Sequence, residues 1–420
     1  MSSSTVKVRE YRTQVVRGIA SIERTDWEQL VRADAIDRGE PVDRPGYLPH
    51  PFVTYEWLSA LESSGCASPD TGWAPLHLLL QSADGALLGA AIVYAKDHSW
   101  GEFVFDHAWA NAHERNGVPY FPKLVLAIPF TPVRGPRLLA IDAAARSVLA
   151  DSVVALAQEA ELSSAHLLFP QTPDQQAVAS ESSKGGSVAA HNDPERPTWL
   201  QRNGVQFHWT QDGWPDFDAF LAAMAQPKRK KIRAERRKVA EAGVDVRVYE
   251  LAQTTLEQRD FFIDCYERTY HEHGGMPYLS RAFWHQVFTT LAQHFALVLA
   301  SRHSSQLIAA SLIAHDGVNA WGRYWGALER VPCLHFECCY YAPLEWAIAR
   351  GLQRFEGGAQ GEHKLARGLL PVATTSHHWL AHPAFASAID RWLERERAGV
   401  DHYLDELDER SPLRAAGVTP

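Results

Sequence analysis

Three glycines fall within five residues, Gly357, Gly358 and Gly361, and Glu362, His363 and Lys364 follow directly, with Arg367 three residues further on. Glycine carries no side chain, so the amides of such a run can approach an anionic or carbonyl oxygen closely. Glu362 and His363 are residue types that accept a proton. Lys364 and Arg367 face the same way if a helical turn begins there, and that suits a phosphate or carboxylate. These are the parts acyl transfer to an amine requires: a donor aimed at the developing oxyanion and a path for the amine's proton. An amine of pKa about 10 is almost all ammonium at neutral pH, so a base must be at hand. No covalent enzyme intermediate is needed, and the chain has no G-x-S-x-G elbow. The same run also reads as a glycine turn with solvated charges.

Upstream, GRYWG ends a predicted strand; Tyr324 there can donate a proton or hydrogen bond to a leaving group, with Trp325 beside it as binding surface. In KDHSWGEFVFD, an extended Gly101–Phe105 would put Glu102 and Asp106 on one face, and with Lys96 and His98 they would form a polar substrate-binding wall. Lys123, Arg134 and Arg137 border an insertion rich in proline and aromatics and suit an anionic substrate. QPKRKKIRAERRKVAEAG is a helix signal: Pro227 fits a first turn, Gly243 a C-terminal cap, and Ile232 with Val239 an apolar seam. Lys228, Arg229, Lys230, Lys231 and Arg233 crowd its N-terminal half, where the helix dipole disfavours cations by about 0.3–1 kcal/mol each. That cost, in an acidic chain, suggests a phosphate-bearing partner; the alternative is a solvated basic face. Cys333, His335, Cys338 and Cys339 lie in a helical segment and meet no standard zinc spacing, so no metal is expected.

These residues need elements to position them. The 420 residues, 46% hydrophobic and 22% charged, suit two or three globular domains. The start of the chain lacks a signal-peptide core, no apolar run reaches the roughly 18–20 residues that span a bilayer, and two of the five cysteines are adjacent. The expectation is a cytoplasmic protein without disulfides. A net charge of −9 argues against a generally nucleic-acid-coating surface but permits one local basic site.

Both halves carry the same order of elements. In the first, helix FVTYEWLSALESSG precedes strands PLHLLLQS and LLGAAIVYAKD, aromatic strand GEFVFDHAWA, helix IDAAARSVLADSVVALAQEAE and strand AHLLFP. In the second, two helices precede ALVLASR, LIAASLIAHD and NAWGRYWG, then helix LHFECCYYAPLEWAIARG and strand RFEGG. The fold class is therefore α/β (α+β), with mixed, mostly antiparallel sheets flanked by helices. The expected lobes are 14–213 and 214–400, with a polar loop over 174–197 and an acidic, solvated helical tail over 401–420.

HPFVTYEWLSALE, YAKDHSWGEFVFDHAWA, YFPKLVLAIPFTPVRGPRLL, GRYWGALE, LHFECCYY and FEGGAQGEHKLARG together resemble the bacterial FemAB-like family of the GNAT acyltransferase superfamily, from about Pro51 to Arg395. The resemblance implies two tandem GNAT-like lobes and a link to peptidoglycan. It implies an N-acyltransferase that moves an acyl or aminoacyl group onto an amine of a small-molecule or cell-wall-precursor acceptor; the alternative is a non-catalytic protein that recognises that precursor. In such ligases a glycine-rich strand end followed by a lysine helps bind the acceptor, and here the pattern falls on Gly357, Gly358 and Lys364. The pyrophosphate loop Q/R-x-x-G-x-G/A of acyl-CoA users is replaced by GALERVPCLHF. The donor is then acyl-CoA or aminoacyl-tRNA, and the basic helix would meet tRNA or a nucleotide-linked precursor.

Overall fold

The computed structural model describes residues 10–179, 197–303, 306–358 and 361–413. They form a mixed α/β architecture in two compact units. One gathers Met1–Val42, Phe52–Arg202 and Thr375–Glu394; the other gathers Asp43–Pro51, Asn203–Thr374 and Arg395–Pro420.

The first unit starts with β1 (Tyr11–Val16) and two helices, Arg24–Asp37 and Tyr55–Ser63. β2 (Trp73–Pro75) and β3 (His77–Ser82) are two parts of one bent stretch, as are β4 (Leu87–Ala91) and β5 (Val93–Lys96). The bends let one hairpin serve two sheets. β3 and β4 join β1 and β7 (Leu138–Ala140) in the order β1-β3-β4-β7, whereas β2 and β5 continue to β6 (Lys123–Leu126) and β8 (Ser164–Leu168). The pair β6–β8 is parallel, bridged by helix Ala143–Glu159, which Asp142 caps through the Ala145 amide. That helix buries Leu149, Ala150, Val153, Val154 and Ala157 against the sheet, a face of small and branched residues that lets it lie close.

The second unit repeats the scheme. Its sheet contains β9 (Leu200–Thr210), β10 (Val244–Glu250), β11 (Phe295–Arg302), β12 (Gln306–His315), β13 (Asn319–Ala327) and β14 (Arg354–Glu356), in the order β10-β11-β12-β13-β14-β9. All neighbours are antiparallel except β13–β14. Helices Leu256–Glu272 and Arg281–Thr290 precede β11, as two helices precede β2 in the first unit. The last part of β15 (Leu370–Leu380), Ser376–Leu380, belongs to the first unit and pairs there with β8. The two units thus share a scheme of helices, antiparallel strands, a helix and a closing strand, although the aromatic strand expected in the first is replaced by a loop and helix His107–Arg115.

The basic helix spans Gln226–Glu241 and buries Ile232 and Val239, each contributing about 1.5–3 kcal/mol. Gly243 ends it at a left-handed φ of 72°.

Four expectations are corrected. GEFVFDHAWA is not a strand: Gly101 and Phe103 take φ of 82° and 60°, which breaks the pleat, and His107–Arg115 is helical. The helix after β13 is not regular: Leu334–Phe336 leads into a π-turn, Glu337–Tyr341, before Ala342–Ala349. Pro343 lacks the amide that would continue the ladder, and the Ser311 hydroxyl donates to the Cys338 carbonyl at 2.7 Å. The polar loop begins inside helix Thr172–Val178, where Asp174 is buried against Arg38, and its remainder over 180–196 lies outside the described residues. The tail belongs to helix Pro383–Glu409, and Leu407 is fully buried, so that helix is not solvated all round. Residues 414–420 lie outside the described residues. Among the described residues no helix is long and apolar enough to cross a membrane.

Candidate active site

In the second unit β13 and β14 run together for three registers, Asn319↔Arg354, Ala320↔Phe355 and Trp321↔Glu356, and then part. β13 continues to Ala327 against β12, whereas Gly358 turns away at φ 87°. Glycines line the parting. A Cβ at Gly322 would lie 2.7 Å from the Phe355 ring, and one at Gly357 would lie 2.5 Å from Leu369 Cδ2. The Gly357 amide donates to the Phe207 carbonyl of β9 at 3.3 Å.

Lys364 closes the gap. It stands in the short 3-10 turn Glu362–Arg367, is 3% exposed, and donates from Nζ to the Gly358 carbonyl at 2.8 Å. Burial pushes its ammonium down to about 8, opposed by the Cys339 thiol and assisted by the Arg323 charge. His363 shares a 2.9 Å hydrogen bond between Nε2 and Tyr340 Oη, with the His335 ring 6.1 Å away. Burial and the Lys364 and Arg367 charges lower the His363 pKa, so the imidazole is a neutral acceptor at pH 7. Gly361, at φ 109°, permits this fold-back, since a Cβ there would lie 2.4 Å from His363 Cε1.

The other members of the predicted set turn elsewhere. Glu362 accepts from Tyr403 Oη at 2.9 Å and Arg410 at 3.0 Å, and those bonds hold its pKa below the usual range. Arg367 lies over the Phe336 ring and donates to both Glu235 oxygens at 2.9 and 3.1 Å, so its charge is matched inside the unit. Tyr324 is the extra residue of a β-bulge: Ser311 opposes Trp325, Leu312 opposes Arg323, and Tyr324 takes φ 57° between them. Its ring packs on Tyr266 and Trp284, and its hydroxyl accepts from Arg323 at 3.3 Å. Trp325 meets His335 edge-on and lines a cavity of about 660 Å³ at the end of β13, with Thr269, His273, Val331 and Leu334.

The first unit brings Lys96, His98, Glu102 and Asp106 together by a route that strand alternation did not anticipate. Lys123, opposite Lys96 in the β5–β6 register, is their hub: Nζ donates to Ser99 Oγ at 3.0 Å, to Glu102 at 2.9 Å and to Asp106. All three of its protons are used. Burial pushes Glu102 up to about 7 and Lys96 down to about 7; at Asp106 burial acts upward too, but the Lys123 and His166 charges with the hydrogen bonds from Lys123 and Ser99 together hold it low. Arg137 is fully buried and donates to the Val133, Pro136 and Leu168 carbonyls. Lys123 and Arg137 are therefore internal ties, a correction to their reading as an anion surface.

On the basic helix, Lys230, Lys231 and Arg233 are exposed, Lys228 and Arg229 half-buried. Arg229 donates to the Ala222 carbonyl, and Arg233 pairs with Asp218 at 3.1 Å. Glu235 on the opposite face and Tyr340 escaped sequence reasoning, and His335 was weighed only as a metal ligand. Among the described residues no three His, Cys, Asp or Glu side chains gather as a metal site.

The chain belongs to the FemAB-like family, whose model, described as peptidoglycan biosynthesis/recognition, matches residues 18–415. No curated protein matches the chain. Among solved structures, FemX is similar at TM-score 0.48 and 11% identity, over 88% of this chain and 98% of that one. L-PGS from Bacillus licheniformis is similar at 0.46 and 10%, over 83% and 99%. A tandem GNAT protein from the clavulanic acid biosynthesis pathway is similar at 0.42 and 14%, over 89% and 99%.

Proposed function

We propose that the second unit transfers an acyl or aminoacyl group from an activated ester or thioester to an amine of a small-molecule or cell-wall-precursor acceptor, where β13 parts from β14. The observation that carries this reading is Lys364, a buried ammonium lowered to about 8 and laid across a gap walled by glycines. A charge held in such a place at a cost to folding is the mark of a group kept for a ligand. Lys364 stabilises the developing oxyanion or the acceptor's carboxylate, and neutral His363 takes the amine's proton. The amine attacks the acyl carbon, an amide bond forms, and the alkoxide or thiolate leaves with a proton. Gly357, Gly358, Gly361 and Trp325 shape the walls, Tyr324 steadies the bulge, and Arg367 positions His363 through its 2.6 Å bond to that residue's carbonyl.

The cavity beside Trp325 is where the donor's reactive end would enter, and acyl-CoA and aminoacyl-tRNA are the two donors to try. This reading places the reaction in the cytoplasm, where such donors are made. A recognition role without chemistry is favoured by one observation: Glu362 and Arg367 are already engaged by Arg410, Tyr403 and Glu235. A thermal-shift panel of acetyl-CoA, a long-chain acyl-CoA, UDP-linked muropeptide and charged tRNA tests both. At least one ligand should raise Tm in the natural protein and not in Lys364→Met. No shift from any ligand ends the proposal, and a shift with no mass change in the acceptor assigns recognition instead.

A further inference from the structure

Tyr340 touches both the wall of the strand gap and His363. It lies in the π-turn Glu337–Tyr341, where the helix carries one residue more than a regular turn, a feature common at functional sites. A Cβ at Gly357 would lie 3.4 Å from Tyr340 Cε1 and 3.5 Å from Lys364 Cδ, so the phenol edge and the lysine stem flank the same glycine. His363, by contrast, is exposed, its ring centroid 5.7 Å from that of Tyr340. The direction of the 2.9 Å bond between Tyr340 Oη and His363 Nε2 follows from burial. A neutral phenol has one proton to donate, and the buried Tyr340 hydroxyl has no other hydrogen-bond partner among the described residues. If the imidazole donated instead, the phenol proton would be left without an acceptor. Tyr340 therefore donates to Nε2, and neutral His363 carries its own proton on Nδ1. A base whose one accepting nitrogen is already filled takes up a proton through the group that fills it.

We propose that Tyr340 is a catalytic residue whose Oη receives the proton of the acceptor's ammonium and hands its own to His363. This rests on the acyl-transfer reading of the second unit and names the atom that meets the amine. The ammonium's N–H bond breaks and the electron pair stays on nitrogen, which frees it to attack the acyl carbon. As that proton reaches Oη, the phenol's O–H bond breaks and a new N–H bond forms at His363 Nε2. Tyr340 ends as the neutral phenol it was, and the positive charge has moved from the amine to the imidazole. The amine's second proton leaves with the alkoxide or thiolate. Exposed His363 then yields its proton to water, and the relay is reset. The groups around it suit this direction. Burial raises the Tyr340 phenol, so it keeps its proton at rest. Burial with the Lys364 and Arg367 charges lowers His363, so the imidazolium sheds its proton readily. His335, pushed by burial to about 4, is neutral beside them, and burial keeps the Cys339 thiol protonated. Glu362 turns away to Tyr403 and Arg410.

The geometry is tested without substrate, by NMR of the full chain carrying isotope-labelled histidine, the His363 signals being those that vanish in His363→Gln. The natural protein should show Nδ1 protonated and Nε2 bare. Tyr340→Phe removes only the hydroxyl and should raise the His363 pKa by about 0.5–1, because the lost bond favoured the neutral ring. A Tyr340 that merely packs would move neither the tautomer nor the pKa. With the donor and acceptor that the thermal-shift panel selects, Tyr340→Phe should lower kcat about a hundredfold and leave KM within about twofold. His363→Gln should match it, and the two changes together should cost little more than either alone, as members of one relay do. The relay is overturned by a proton on Nε2, by a His363 pKa that stays or falls in Tyr340→Phe, or by an unchanged kcat, and acyl transfer beside Lys364 survives each of these. Absence of turnover with every donor and acceptor would end that reading, and the relay with it.

Discussion

Replacing Lys364 by methionine keeps the length of the side chain and removes its charge, and the outcome can be worked from the site. The ammonium is lowered from 10.5 to about 8 chiefly by burial. At about 1.4 kcal/mol for each pKa step, the natural protein carries roughly 3 kcal/mol of strain from holding this charge out of water. Against that stands the bond to the Gly358 carbonyl, whose loss costs about 1 kcal/mol. Lys364→Met should therefore be about 2 kcal/mol more stable at pH 7. The sign also sets the pH window. Between about 8 and 10.5 the unfolded chain holds a proton that the folded one has released, so the natural protein gains stability as pH rises there. Below about 8 lysine is charged in both states and the penalty is complete. Urea denaturation at pH 7 and pH 10.5 reads this directly: a clear advantage for the variant at the lower pH, gone at the higher, where only the missing bond to Gly358 counts against it. A variant less stable than the natural protein at pH 7 would show that Lys364 is well solvated by its partners, and the argument for a charge retained for a ligand would fail.

The buried Glu102, raised from 4.5 to about 7, holds a proton that the unfolded chain has lost across that window, so stability should fall as pH rises through it. Glu102→Gln should flatten that slope in parallel thermal melts, and an unchanged slope would mean another group sets it. Gly326→Ala should cost about 1–3 kcal/mol, because the new Cβ would lie 1.9 Å from the Cys265 carbonyl and force helix Leu256–Glu272 off the sheet. A chemical-denaturation midpoint equal to the natural protein's would refute that contact. Lys230→Ala with Lys231→Ala should weaken RNA or nucleotide binding and flatten its salt dependence while leaving Tm unchanged, as both side chains are exposed; filter-binding across a salt series decides.

The glycine run was legible because glycine in such density needs a backbone reason, and Gly357, Gly358 and Gly361 each meet one: a close neighbour or a positive φ. Lys364 was legible as a charge next to that run. Its neighbours were not. Glu362 and Lys364 are two residues apart, yet one meets the C-terminal helix and the other the strand gap, because the 3-10 turn sends them to different sides. Arg367 read as an anion ligand because Glu235, 132 residues away in sequence, was invisible as its partner. In the first unit the chosen residues come together by a different geometry from the one expected. Glu102 and Asp106 converge through a loop with two positive φ angles, which no alternation rule foresees.

Hydrophobic periodicity and turn chemistry are local properties, so the alternation of strands and helices in both halves and the apolar seam of Ile232 and Val239 were legible in the sequence, whereas the loop at Gly101 and Phe103 and the π-turn over Glu337–Tyr341 were not. Partnership of charges is a property of distance in space. Which ammonium is buried, which carboxylate is already paired, and which aromatic rings are left in water follow only once distant segments have packed, since burial and Coulomb attraction depend on neighbours the chain order does not name.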